Sequence, residues 1–346
     1  MPANLSPEYK AAADAYRKAR DPGERLDHLR EMLSVIPKHK GTDHLQADLK
    51  RRIKELDEEL AGPKRGGARS SPALVVRPEG AAQIALIGPP NSGKSLLHAR
   101  LTGSGAKSGP YPHTTQYPEP GMFRWEDVLF QLVDLPAISA EHPLPWLGST
   151  LQSADACLLV VDLADPECLQ HVESVQAALR ERKVSLVTEW PADARAAPAA
   201  LSSHADAGDV FDLRLPTLLV ANKSDLLGHP DTDLEALAEL EAPHFPALLA
   251  SALSGQGLVE LGEWLWRSLG LVRIYTKAPG KPALHDRPFT LRHGEQTVAD
   301  VARLVHRDMA QTLKYARVWG TSAAAEGQHV GRDHLLADRD VVELHA

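Results

Sequence analysis

The stretch Gln83-Ile84-Ala85-Leu86-Ile87-Gly88-Pro89-Pro90-Asn91-Ser92-Gly93-Lys94-Ser95-Leu96 decides the fold. Ile84 to Ile87 is a short apolar run that ends in glycine, which reads as a buried strand. Residues 95–101 read as a helix start. Between them, 88–95 fits G-x-x-x-x-G-K-S, and a preceding strand with a following helix is the setting this phosphate-binding loop requires. Its backbone N–H groups wrap phosphates, and the helix N-terminus adds a favourable dipole. Gly88, Pro89, Pro90, Asn91, Ser92, Gly93 and Leu96 are thus candidate nucleotide contacts beside Lys94 and Ser95. Lys94 is expected to reach the β- and γ-phosphates and the Ser95 hydroxyl to bind Mg²⁺.

Downstream, apolar runs at 129–133, 156–161, 217–221 and 248–250 read as strands. Helical patterns at 166–182 and 234–240 lie between them, so the region 81–270 is expected to be an α/β domain with a mostly parallel sheet. Asn222-Lys223-Ser224-Asp225 follows one of these strands, about 130 residues after the phosphate loop. The Asp225 carboxylate can accept from both N1–H and the exocyclic amine of guanine, a pattern adenine lacks. This selects GTP over ATP. The stem of Lys223 would lie over the base, and a backbone N–H of Ser251-Ala252-Leu253 would meet guanine O6.

The chain has 346 residues, 43% hydrophobic and 24% charged, which excludes disordered, collagenous and mucin-like classes. Two cysteines, Cys157 and Cys168, are too few for a disulfide framework or a structural zinc site and suggest a reducing cytoplasm. The apolar run 156–161 is far short of the ~20 residues of a membrane span, and MPANLSPEYK lacks a signal-peptide core. Net charge is −8 in all: +3 over 1–70, −13 over 71–270 and +2 over 271–346. Polyanion contact, if any, is therefore expected at the two ends. No DNA-binding motif stands out.

Residues 1–61 read as an antiparallel helical hairpin. Leu26, Leu29, Leu33 and Ile36 form one apolar stripe, and Leu45, Leu49, Ile53, Leu56 and Leu60 another, with a basic turn at 37–42. Residues 62–80, rich in Gly, Pro, Ser and Arg, read as a linker. Residues 188–215 read as an irregular surface insertion. From 271 to 346 the pattern is short strands with one helix at 297–310, a separate small α+β module. The default for Trp264 and Trp266 is packing.

Two further strings lie between the phosphate loop and Asn222. Residues 111–121 contain Thr114 and Thr115, one of which should complete the Mg²⁺ shell and sense the γ-phosphate. Asp134-Leu-Pro-Ala137 closes the run 129–133, and Asp134 should hold Mg²⁺ through water.

With these motifs in order, the chain resembles the Obg-like and developmentally regulated GTP-binding proteins. GPPNSGKS is similar to that group's phosphate loop. Tyr111-Pro-His-Thr-Thr115 is similar to its switch I, which implies the Mg²⁺ role for Thr115. The segment containing FTLRHGEQTVADVARLVHRDM resembles a TGS domain, a small β-grasp fold. The resemblance implies a P-loop GTPase domain between a helical hairpin and a TGS domain. It also implies slow GTP hydrolysis with Lys94, Ser95, Thr115 and Ala137 at the reacting phosphate, a K⁺ contact at Asn91, and a ribosome or other RNA-containing partner. The competing class is a GTP/GDP-binding module with little hydrolysis, acting as scaffold or sensor.

Two positions depart from the family pattern. Ala137 replaces the glycine of D-x-P-G, which is expected to restrain switch II. Ile138 stands where Ras-like enzymes place a water-orienting glutamine. Glu141 and His142 are the nearby polar groups that could contact water.

Overall fold

Among the described residues three helices, rather than two, precede the central sheet: α1 (Pro7–Lys18), α2 (Pro22–Val35) and α3 (Asp43–Ala61). The computed structural model describes residues 6–19, 21–37, 42–61, 76–104, 115–139, 144, 146–193 and 211–346. The additional break comes from local chemistry. Asp21 caps α2, accepting from the Gly23 N–H at 2.8 Å and the Glu24 N–H at 3.2 Å, and Pro22 starts the new helix. Leu29, Met32 and Leu49 pack with Tyr9 of α1 into one small core, whereas Leu60 is exposed. The basic tip at 38–40 lies outside the described residues.

The central sheet contains β1 (Gln83–Ile87), β2 (Glu119–Trp125), β3 (Val128–Asp134), β4 (Ala156–Asp162), β5 (Val184–Val187), β6 (Leu213–Asn222) and β7 (Ala247–Leu249). Its order is β2-β3-β1-β4-β6-β5, with β7 also on β6. Among its described strands only the β2–β3 pair is antiparallel. Helices α4 (Lys94–Thr102), α5 (Leu147–Leu151), α6 (Cys168–Arg180), α7 (Pro230–Leu240) and α8 (Leu258–Ser268) accompany it. Ile84 and Leu86 enter one apolar core and Ala85 and Ile87 another, as a strand buried on both faces requires.

The 188–215 reading needs correction at both ends. Leu213 to Leu215 already belong to β6, and Trp190 and Phe211 are buried. The Trp190 ring meets Trp264 edge-on at 4.5 Å, and Phe211 packs on Tyr16 of α1. Apolar anchors in an Ala/Asp-rich stretch give no periodicity, so only tertiary contacts reveal them. Residues 194–210 lie outside the described set, as does 62–75 of the expected linker. The end of that linker is pinned: Gln83 Nε2 donates to the Val76 carbonyl at 3.0 Å, and Gly80 bridges to Phe130.

A second sheet, order β11-β10-β12-β8-β9, is built from β8 (Leu271–Thr276), β9 (Leu284–Arg292), β10 (Tyr315–Trp319), β11 (Gln328–Val330) and β12 (Asp340–His345). The expected helix at 297–310 is two, α9 (Val298–Val305) and α10 (Arg307–Thr312). His306 breaks it with an extended backbone, and its ring accepts from the Asp308 N–H at 3.2 Å. Val301 and Ala302 of α9 pack on Ile274, Val318 and Val342. No described helix is long and apolar enough to cross a membrane.

Candidate functional site

The carboxyl ends of β1, β3, β4, β6 and β7 converge on one edge of the sheet, where open α/β sheets bind ligands. The phosphate loop joins β1 to α4 there. Two glycines are required by its geometry. A Cβ on Gly88 (φ +150°) would stand 2.2 Å from the Val160 carbonyl oxygen, and one on Gly93 (φ +88°) 2.3 Å from Asn222 Nδ2. Both backbones lie where side chains rarely go.

Lys94 is 6% exposed. Its ammonium donates to the carbonyls of Pro89 at 2.9 Å and Gly88 at 3.1 Å, so the loop backbone aims it. Burial pulls its pKa down to about 8, with Asp134 opposing. Ser92 is buried and donates to the Pro89 carbonyl at 3.1 Å. Pro90 and Leu96 are half-buried, and Asn91 stands exposed with φ +61°.

Ser95, Thr115 and Asp134 meet although they lie on three separate segments. The Ser95 hydroxyl donates to Asp134 Oδ2 at 2.6 Å and the Thr115 hydroxyl donates to the same oxygen at 3.1 Å. The two hydroxyls are 3.0 Å apart. Asp134 Oδ1 is buried without a hydrogen-bond partner among the described residues. An all-oxygen set with a spare carboxylate oxygen fits Mg²⁺ completed by phosphate oxygens and water. Thr114, Glu141 and His142 lie outside the described residues.

Ala137 is buried with no positive φ. Alanine therefore carries no left-handed strain in this conformation. The Ile138 N–H donates to the Gly88 carbonyl at 3.0 Å, and its side chain packs with Leu135 and Leu147. An apolar side chain seated in the core cannot orient water.

At the other end, Asn222 is a pillar. Its amide Nδ2 donates to the Ser92 carbonyl at 2.8 Å, and its Oδ1 accepts from the Ala252 N–H at 2.9 Å. It ties the phosphate loop to the loop after β7, and it commits the Ala252 N–H within the protein. Ser251 is buried, its Oγ accepts from the Ser254 N–H at 3.0 Å, and Leu253 is 70% exposed. Asp225 is exposed on the single turn Ser224–Leu226. Lys223 has φ +63°, and its ammonium donates to Asp162 Oδ2 at 2.6 Å. Asp162 was missed by the motif reading. Its signal was a carboxylate ending the apolar run 156–161, on the edge where ligands sit. His98 is buried on α4 with Nε2 unpartnered among the described residues.

Asn222→Ala should destabilise even the nucleotide-free protein. It leaves the Ser92 carbonyl and the Ala252 N–H buried without a partner, each costing about 1–3 kcal/mol. Denaturant unfolding of the two proteins checks this; a loss under about 0.5 kcal/mol, the size of an ordinary surface substitution, would remove the pillar role.

The chain is similar to known proteins along most of its length. Residues 83–189 match the model of the family described as 50S ribosome-binding GTPase, and 272–346 match the TGS domain. Developmentally-regulated G-protein 2 of Arabidopsis thaliana is 29% identical over 367 residues, covering 93% of this chain and 90% of the relative. A GTP-binding protein of Methanocaldococcus jannaschii is 30% identical, with 93% and 92% covered. Among solved structures, a GTP-binding protein from Pyrococcus horikoshii OT3 has a TM-score of 0.48 at 16% identity, with 76% of this chain and 99% of that one covered. The chain, a P-loop GTPase domain joined to a TGS domain, belongs to the developmentally regulated GTP-binding proteins.

Proposed function

We propose that this GTP-binding protein is a slow GTPase that works as a nucleotide switch in the cytoplasm, on ribosomes or another RNA-containing partner. The observation that carries the reading is the meeting of Ser95, Thr115 and Asp134 beside Lys94. Hydroxyls from the phosphate loop and from switch I both donate to one carboxylate oxygen at the start of switch II. Nucleotide and metal at that point would order both segments, which is how such switches report the γ-phosphate. Ser95, Thr115 and, through water, Asp134 would hold Mg²⁺, which neutralises phosphate charge when bound. Lys94 stabilises charge on the β- and γ-phosphates. Asp225 and Asn222 select and support guanine, and the backbone of 251–253 closes the base site. Slowness follows from Ile138, which offers no polar group to water. A partner or K⁺ near Asn91 would supply what is missing.

The partner half of the reading is supported by the ribosome-binding description of the matched GTPase family and by the TGS domain. The slight positive charge of both chain ends also agrees. Sedimentation with ribosomal subunits in GTP-analogue, GDP and nucleotide-free states tests it. Co-sedimentation should depend on the nucleotide; equal binding in all three would remove the switch on ribosomes. Turnover should be faster in K⁺ than in Na⁺ at equal ionic strength. Equal rates would leave Asn91 as a loop-shaping residue. Absence of hydrolysis with tight GTP and GDP binding would favour the binding-module reading.

A further inference from the structure

Outside the nucleotide site, an ionic cluster lies where the β2–β3 turn meets β8. The Arg273 side chain is only 4% exposed. Its Nη1 donates to Glu126 Oε2 at 2.5 Å and to Asp127 Oδ1 at 2.7 Å, and its Nε donates to Asp338 Oδ1 at 3.1 Å. The guanidinium carbon lies 4.6 Å from the Trp266 ring centre and 5.4 Å from that of Trp125, within cation–π range. The Tyr275 hydroxyl donates to Asp127 Oδ2 at 2.5 Å, and Arg339 donates to Glu126 at 3.2 Å. Trp125 itself is seated over Gly262 of α8, where a Cβ would stand 2.1 Å from its ring. Arg273, Tyr275, Asp338 and Arg339 belong to the C-terminal module; Trp125, Glu126 and Asp127 form the hairpin tip of the GTPase domain.

The other end of this hairpin is the metal site. Glu119 pairs with Asp134, Trp125 pairs with Val128, and the register runs through seven residue pairs without a bulge. At ~3.3 Å per residue, the tip is about 20 Å from Asp134. The first residue of β2 lies four positions after Thr115. An unbroken antiparallel ladder shifts as a unit, so a change at Thr115 and Asp134 is felt at the tip. There a planar guanidinium bonded to three carboxylates tolerates little displacement.

We propose that Arg273 is a positioning residue through which the β2–β3 hairpin couples the nucleotide state to the seating of the TGS domain. The inference rests on the reading of Ser95, Thr115 and Asp134 as the metal and γ-phosphate site. Coupling is reciprocal: what the GTP form does to this clamp, the clamp does to the preference for GTP over GDP. Trp125 and Trp266 flank the guanidinium and report its movement.

The test uses the full chain and two variants. Arg273→Lys keeps the charge but loses the planar fork. Tyr275→Phe removes one hydroxyl and leaves the packing. Affinities for Mg²⁺·GDP and a non-hydrolysable Mg²⁺·GTP analogue are measured, together with tryptophan emission in both forms. Wild-type emission should differ between the two nucleotides. Arg273→Lys should shift the ratio of the two affinities by about fivefold or more, the lower end of typical coupling. Tyr275→Phe should shift it less, in the same direction. A merely structural role would lower both affinities equally. A ratio within twofold of wild type in folded variants would therefore overturn the coupling while leaving the site reading intact. If Arg273→Lys fails to fold, the ratio for Tyr275→Phe decides alone. Wild-type protein that binds neither nucleotide would overturn the site reading and the coupling with it.

Discussion

Replacing Lys94 by methionine should slow single-turnover GTP hydrolysis by about 10²–10³-fold, the usual cost of removing one preorganised charge-stabilising group. The carbonyls of Gly88 and Pro89 already hold the ammonium inside the loop that wraps the phosphates. Held there, the ammonium would be positioned before phosphate charge develops. GTP should also bind more weakly, by about 1.5–3 kcal/mol for a lost charged hydrogen bond. A proton measurement separates this contact from a general loss of shape. Burial pulls the Lys94 pKa down to about 8, against the opposing charge of Asp134. A polyphosphate brought beside it favours the charged form and raises that pKa. Nucleotide binding at pH 8 should then take up part of a proton in the wild type and less in Lys94→Met. Calorimetry in two buffers of different ionisation enthalpy reads the difference. Equal uptake in both proteins would remove Lys94 from the phosphate site, and an unchanged rate would remove it from the chemistry.

Asp225→Asn should weaken GTP and GDP alike, by about 1.5–3 kcal/mol for each charged hydrogen bond lost, or one to two decades per bond. Asp225 is exposed on a tight turn, so its loss should scarcely change folding. The fall in affinity then reports base recognition alone. Inosine nucleotides sharpen the test, since their base keeps N1–H and lacks the amine. Wild-type protein should prefer GTP to ITP because one acceptor is left unpaired with the analogue. Asp225→Asn should lose most of that preference. Unchanged GTP affinity in the variant, or equal GTP and ATP affinity in the wild type, would refute the role given to Asp225.

Much of the site was legible in one dimension because it is built from short loops directly after strands. The phosphate loop needs Gly88 and Gly93 where side chains would strike Val160 and Asn222, so the motif is a record of steric exclusion. Asn222 is legible as a polar residue directly after a buried strand, where its amide joins two loops. Ala137 has no positive φ here, so the missing glycine leaves no left-handed strain in this conformation.

Periodicity and motif spacing by themselves determined the α/β domain, the order of its nucleotide loops and the helical character of the N-terminus. These depend on residues close together in the chain, where spacing maps directly onto one face of a helix or one edge of a strand. Tertiary structure alone decided which distant residues meet. Asp162 finds Lys223, and Trp190 finds Trp264. Phe211 leaves an unpatterned segment to fill the core of the N-terminal helices, and Arg273 reaches back to the β2–β3 tip between two tryptophans. Such pairings join chain positions tens to well over a hundred residues apart. They are set by which surfaces come together when the layers pack, and no local repeat carries that information.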